Sequence, residues 1–85
     1  MNDRKTIEDY RKAIYELLDN FHRIYTYEMV MYDRDICIEA MGYLRACRLI
    51  ARCEIDFVYI DVLYHIDVLY SALSIILVDH DRANL

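Results

Sequence analysis

Three near-copies of one pentad follow one another in this chain: Ile55-Asp-Phe-Val-Tyr59, Ile60-Asp-Val-Leu-Tyr64 and Ile66-Asp-Val-Leu-Tyr70. Wound as a helix at about 100° per residue, the stretch from Glu54 to Val78 presents two apolar stripes instead of one. The wide stripe holds Ile55, Val58, Tyr59, Val62, Leu63, Ile66, Leu69, Tyr70, Leu73, Ile76 and Leu77. The narrow one holds Phe57, Tyr64, Val68 and Ile75, spaced seven, four and seven. A helix with two apolar sides needs neighbours on both. A strand is the competing reading, because Val58, Ile60, Val62, Tyr64, Ile66, Val68 and Tyr70 also alternate on one face. That strand would exceed the usual length of about 3–10 residues, and no Gly or Pro after Tyr43 turns the chain back. Helix is preferred.

The first third of the chain is simpler. Thr6-Ile7-Glu8-Asp9 has the form of a capping box, with acidic residues suited to the positive end of the helix dipole. From there Ile7, Tyr10, Ile14, Leu17, Leu18, Phe21, Ile24, Tyr25, Met31 and Tyr32 share a face, opposite Arg11, Lys12, Glu16, Asp19, Asn20, His22, Arg23 and Thr26. The break falls at Tyr32-Asp33-Arg34-Asp35, where Asp33 or Asp35 can cap a second helix. That helix is expected to bury Ile36, Ala40, Tyr43, Leu44, Cys47, Ile50 and Ala51. Gly42 costs about 1 kcal/mol against Ala in a helix, so close approach of a partner helix is the expected compensation. Between Arg48 and Asp56 only the phase of the apolar face shifts, which allows a tight turn near Arg52-Cys53-Glu54 or one long helix from Ile36 to Asp79. The expected fold is therefore all-α, a small three-helix bundle in a single domain over residues 1–85. Its helices cover about 6–31, 35–52 and 54–79, with the last one central and the last two joinable into one.

Apolar residues make up 58% of these 85, with one Gly and no Pro. So small a chain buries only about 60–65% of its surface, which leaves apolar patches in water and points to a homo-oligomer. Phe57, Tyr64, Val68 and Ile75 are the expected oligomer interface, at coiled-coil-like spacing. No signal peptide is visible, and the longest uncharged run near the end, Val68 to Val78, is 11 residues against the roughly 20 a membrane span needs. The expectation is a soluble cytoplasmic protein. Cys37, Cys47 and Cys53 show neither disulfide-framework nor zinc-ribbon spacing and read as small hydrophobes.

Charge is unevenly distributed within a net of −5: residues 33–53 carry four Lys/Arg against three Asp/Glu, and residues 54–85 one against six. The acidic total argues against nucleic-acid binding. Arg34, Arg45, Arg48 and Arg52 lie within about 60° of one another on the second helix, with Met41 among them. They either meet water and the acidic segment, through Asp56, Asp61 and Asp67, or grip a phosphate or carboxylate. Tyrosine adds to the second reading; of the nine, Tyr15, Tyr27 and Tyr32 are the ones expected to face outward. Asp61 and His65, four apart, are the weak metal candidates, and no metal or other cofactor is expected. His22 and His80 complete no site, His80 falling in a tail expected to fray. No cysteine or serine has a neighbouring base, and no phosphate loop or hydrolase motif occurs, so no catalytic residue is assigned. The reading is a non-catalytic helical homo-oligomer that binds a protein partner as an inhibitor or adaptor. The alternative is an oligomer that binds or sequesters a small phosphorylated ligand, such as a nucleotide, through the arginines.

Overall fold

A computed structural model describes residues 7–53 and 60–83, and every element among them is helical: α1 (Ile7–Ile24), α2 (Tyr27–Tyr32), α3 (Arg34–Cys53) and α4 (Ile60–Ala83). Thr6, Glu54, Ile55, Asp56, Phe57, Val58 and Tyr59 lie outside the described residues, as do the side chains of Ile7, Tyr10 and Cys53.

The expected first helix over 6–31 is two helices. Thr26 is extended (φ −81°, ψ 161°), and its hydroxyl oxygen accepts the Met29 N–H at 3.3 Å, which caps α2. A threonine hydroxyl offers the backbone this alternative to continued helix, which the apolar periodicity running through Ile24 and Tyr25 conceals. Asp33 then serves both sides of the next break. Its N–H donates to the Met29 carbonyl at 3.0 Å, while Oδ1 accepts from the N–H groups of Asp35 (2.9 Å) and Ile36 (3.3 Å), opening α3. The capping role expected for Asp33 or Asp35 is thus taken by Asp33.

Cross-helix contacts give the chain directions. Between α3 and α4, Arg34 pairs with Asp81, Cys37 Sγ donates to the Leu73 carbonyl at 3.5 Å, Arg45 meets Tyr70 and Arg48 meets Asp67. Rising numbers on one helix meet falling numbers on the other, so the two are antiparallel. The single long helix over 36–79 does not form. Between α1 and α3, Tyr43 donates to the Leu17 carbonyl and Tyr25 to Glu39, both at 2.8 Å, again antiparallel.

The centre differs from expectation. Both α3 and α4 pack against all three other helices, most densely against each other, but α3 holds the larger share of the contacts with α1 and α2 and is the more central. The core joins Ile14, Leu18 and Phe21 of α1 to Val30 of α2, to Cys37, Ala40, Met41, Leu44, Cys47 and Ala51 of α3, and to Val62, Ile66 and Leu73 of α4. Each large aliphatic chain taken fully inside contributes about 1.5–3 kcal/mol. Phe21, Tyr25 and Tyr43 close the α1–α3 seam as an aromatic triangle with centroids 5.4–5.8 Å apart. Four expected details are overturned. Met41 is buried instead of lying among the arginines, while Ile50 is exposed, because the buried arc of α3 is rotated toward α4. A Cβ on Gly42 would meet nothing within 4 Å, so no helix approaches it in this subunit. The segment from Asp79 is not frayed: α4 runs to Ala83, with His80 Nε2 donating to the Val30 carbonyl at 2.8 Å and Arg34 holding Asp81. The Val30 carbonyl is one of the acceptors a helix C-terminus leaves without an intrahelical donor, so His80 also closes α2.

The Cα envelope measures only 22 Å by 14 Å across its two short axes. Helices pack about 8–10 Å apart, so the thinner direction holds two layers at most. α4 therefore has α3, and more lightly α1 and α2, on one side and, among the described residues, no second layer on the other.

Candidate functional site

α4 carries both sides that its periodicity demands. Its described wide-stripe residues are all buried or half-buried: Val62, Leu63, Ile66, Leu69, Tyr70, Leu73, Ile76 and Leu77. The narrow stripe faces out, with Tyr64 71%, Val68 49% and Ile75 64% exposed. Phe57 lies outside the described residues. Sequence reasoning missed the continuation of this seam: Val78 is 50% exposed, three residues after Ile75, and Ser71 is exposed between Val68 and Ile75. The alternating three-and-four spacing was the signal for both. Tyr64, Asp67, Val68, Ser71, Ala72 and Ile75 line an open hollow of about 600 Å³ over the two small residues.

The arginines are divided among partners. Arg34 Nε donates to Asp81 at 2.7 Å; Arg45 donates to the Tyr70 hydroxyl at 2.8 Å, with its guanidinium carbon 5.8 Å from that ring's centroid. Arg48 lies 3.7 Å from Asp67, and Arg52 is exposed at the end of α3. Of the three aspartates expected to face them, Asp67 does so and Asp56 lies outside the described residues. Asp61 instead binds Arg11 and accepts the Tyr15 hydroxyl at 3.1 Å. Desolvation pushes the Asp61 carboxyl up, but the hydrogen bonds from Tyr15 and Arg11, with the Arg11 charge, outweigh it and hold the group below its ordinary value. Partial burial and the same contact push the Tyr15 hydroxyl up. Leu44, Arg45, Arg48, Ile66, Asp67 and Tyr70 enclose a hollow of about 200 Å³.

Asp61 is thus committed to α1, and His65 stands with its ring 6.1 Å from that of His22. Among the described residues, no three His, Cys, Asp or Glu side chains gather as a metal would require. Cys37 and Cys47 are free and buried, and burial raises both thiols. Tyr15, Tyr27 and Tyr32 are all exposed, Tyr32 most of all. Burial first, and then its bond to Glu39, pushes the Tyr25 hydroxyl up to about 12.

By length and composition α4 is also apolar enough to cross a membrane, and only 17% of its most apolar stretch is buried within the bundle. Compared with protein-family models, with curated proteins and with solved structures, the chain matches none.

Proposed function

We propose that this protein is a non-catalytic helical homo-oligomer of the cytoplasm that acts by binding a protein partner, as an inhibitor or adaptor does. The observation that carries this reading is the outward seam of α4: an apolar line of Tyr64, Val68, Ile75 and Val78, broken only by Ser71, on a helix whose other side already holds the core. Apolar faces of this kind mark association surfaces. A second copy covers the seam. The exposed Tyr27, Met29, Met31 and Tyr32 of α2 remain for a different protein, and tyrosine and methionine suit such contacts.

Water, not lipid, is the proposed surrounding of α4. Asp67 interrupts the apolar run of α4 and pairs with Arg48, and α3 brings Arg34 and Arg45 against the same helix. Carrying that hairpin into hydrocarbon costs about 2.5–3.5 kcal/mol for each charge at the bilayer centre. Sedimentation velocity at micromolar concentration tests the assembly. The wild type should sediment as an oligomer, and Val68→Asp with Ile75→Asp as a monomer of unchanged helicity. A monomeric wild type, or one that floats with phosphatidylcholine vesicles, refutes the reading.

The arginines support the alternative, a small phosphorylated ligand. Arg45 and Arg48 share one hollow with Tyr70, which pairs guanidinium forks with an aromatic ring. A phosphate there would have to displace Asp67 from Arg48. A thermal-shift panel of mono- and cyclic nucleotides decides it: melting should rise with ligand in the wild type and not in Arg45→Ala/Arg48→Ala.

A further inference from the structure

Two hollows meet where α4 faces α2, and Ile76 lines both. The larger, about 260 Å³, sets Phe21, Tyr25 and Tyr27 over Leu69, Leu73 and Ile76, and His22 is its one wall residue able to take a positive charge. The smaller, about 150 Å³, continues it, with Met31, Ile76 and Ala83 beside Asp79 and His80. Together they follow α4 from Leu69 to Ala83, about 21 Å at 1.5 Å per residue. This groove is separate from the outward line of Tyr64, Val68 and Ile75, none of which enters it. From its shape and the charge around it we infer that α2 and α4 hold an amphipathic helix of a partner protein, apolar along one face and basic along its flank. The inference rests on the partner binding proposed above and adds the partner's shape and charge.

α1 and α2 touch α4 far more lightly than α3 does, which leaves the line between them partly unfilled. The length of that line matches a helix of about four turns, and its floor is apolar, as helix-in-groove recognition requires. Its charge is one-sided. Residues 27–35 and 76–83, which border the smaller hollow, carry Glu28, Asp33, Asp35, Asp79 and Asp81 against Arg34 and Arg82. Arg34 is already bound to Asp81, and Glu28, Asp35 and Asp79 form no ion pair among the described residues. An acidic helix laid here would bring like charge to these carboxylates, whereas a basic one supplies the complement. A lysine or arginine that reaches Asp79 lays its methylene stem over Met31, Ile76 and Ala83. The aromatic hollow then takes the apolar anchors of the same helix. Tyr27 and Met31, both exposed, form the wall on the α2 side, and the flexible thioether of Met31 can adapt to what it meets.

Fluorescence anisotropy with the full chain and two labelled peptides of about 14 residues tests this. One peptide forms an amphipathic helix of leucine and lysine; the other has the same pattern in leucine and glutamate. The leucine–lysine peptide should bind and the leucine–glutamate peptide should not. Asp79→Asn should weaken binding up to about fivefold, and Tyr27→Ser about fivefold or more. Glu16→Gln, on the polar face of α1 beside Asp19 and Arg23, should leave it unchanged. All three residues are exposed, so the fold tolerates these changes. Binding weakened equally by Glu16→Gln is charge attraction without a groove and overturns the inference. Preference for the leucine–glutamate peptide, lost in Tyr27→Ser, overturns the basic partner and leaves partner binding at α2 standing. If Tyr27→Ser instead dissociates the oligomer in sedimentation, a second copy fills the groove and the inference falls. With neither peptide bound, the groove and partner binding through α2 fall together, while self-association is judged separately by sedimentation.

Discussion

Val62 and Val68 are the same residue on the same helix, six positions apart, and the structure gives them opposite fates: Val62 is fully buried and Val68 half-exposed. Val62→Ala removes two methyl groups from a packed site. The transfer term is about 1.6 kcal/mol at roughly 0.8 kcal/mol per group, and the cavity left behind raises the cost to about 2–3 kcal/mol. A domain of this size loses about 4–8 °C per kcal/mol, so the melting temperature should fall by about 8–24 °C at any protein concentration. Val68→Ala behaves differently. Within one subunit its half-burial accounts for about 0.8 kcal/mol, most of which alanine's better helix propensity offsets. In a dimer the exposed half of each valine is covered, so the substitution costs about 1.6 kcal/mol over the two copies and raises the dissociation constant about tenfold. Thermal unfolding followed by circular dichroism at low and at high concentration separates the two. Wild-type melting should rise with concentration, because association stabilises the folded state. Val68→Ala should match the wild type when dilute and fall below it when concentrated. Equal losses for both variants at every concentration would refute the division of α4 into a core side and an association side.

Three further outcomes follow from local geometry. Thr26→Ala should cost about 1 kcal/mol in urea denaturation through loss of the α2 cap; a gain in stability and helicity would mean that the α1–α2 break does not exist. The Asp61 carboxyl titrates below its ordinary value, so its contribution is complete above the unfolded value near 3.9 and is lost as pH falls through the lowered folded one. With Asp61 half-exposed the effect is under about 1 kcal/mol, and Asp61→Asn should lie below the wild type by that amount at neutral pH and converge with it in acid; parallel pH profiles would contradict the Arg11–Asp61–Tyr15 contact. Cys37 and Cys47, buried and with raised thiol pKa values, should resist alkylation until the protein unfolds, as read by site-resolved mass spectrometry. Rapid labelling of either in the native state would show that the α3–α4 core is open.

Helical period alone was enough to divide α4 correctly, because exposure on a long helix depends on angle and on little else. The same rule placed Ile14, Leu18 and Phe21 inside. It could not find the break at Thr26, where a polar residue on a polar face has the same appearance whether the helix continues or restarts. It also could not choose between Met41 and Ile50 for the inside of α3, since both border the apolar arc and the choice depends on where α4 lies. Without Gly or Pro between α3 and α4, the reversal of direction became visible only through contacts such as Arg48 to Asp67.

The charged residues mark the same boundary from the functional side. The spacing of the arginines was readable, but their partners were not: Arg34 finds Asp81, 47 residues away, and Asp61 is taken by Arg11 before any arginine of α3 can reach it. Ion pairing across helices depends on packing direction, which sequence spacing within one helix does not contain. Exposure along the outward line of α4 is different in kind: it follows from angle around one helix, so Tyr64, Val68 and Ile75 were placed by spacing alone, whereas the commitment of Asp61 on the same helix to Arg11 needed the position of α1.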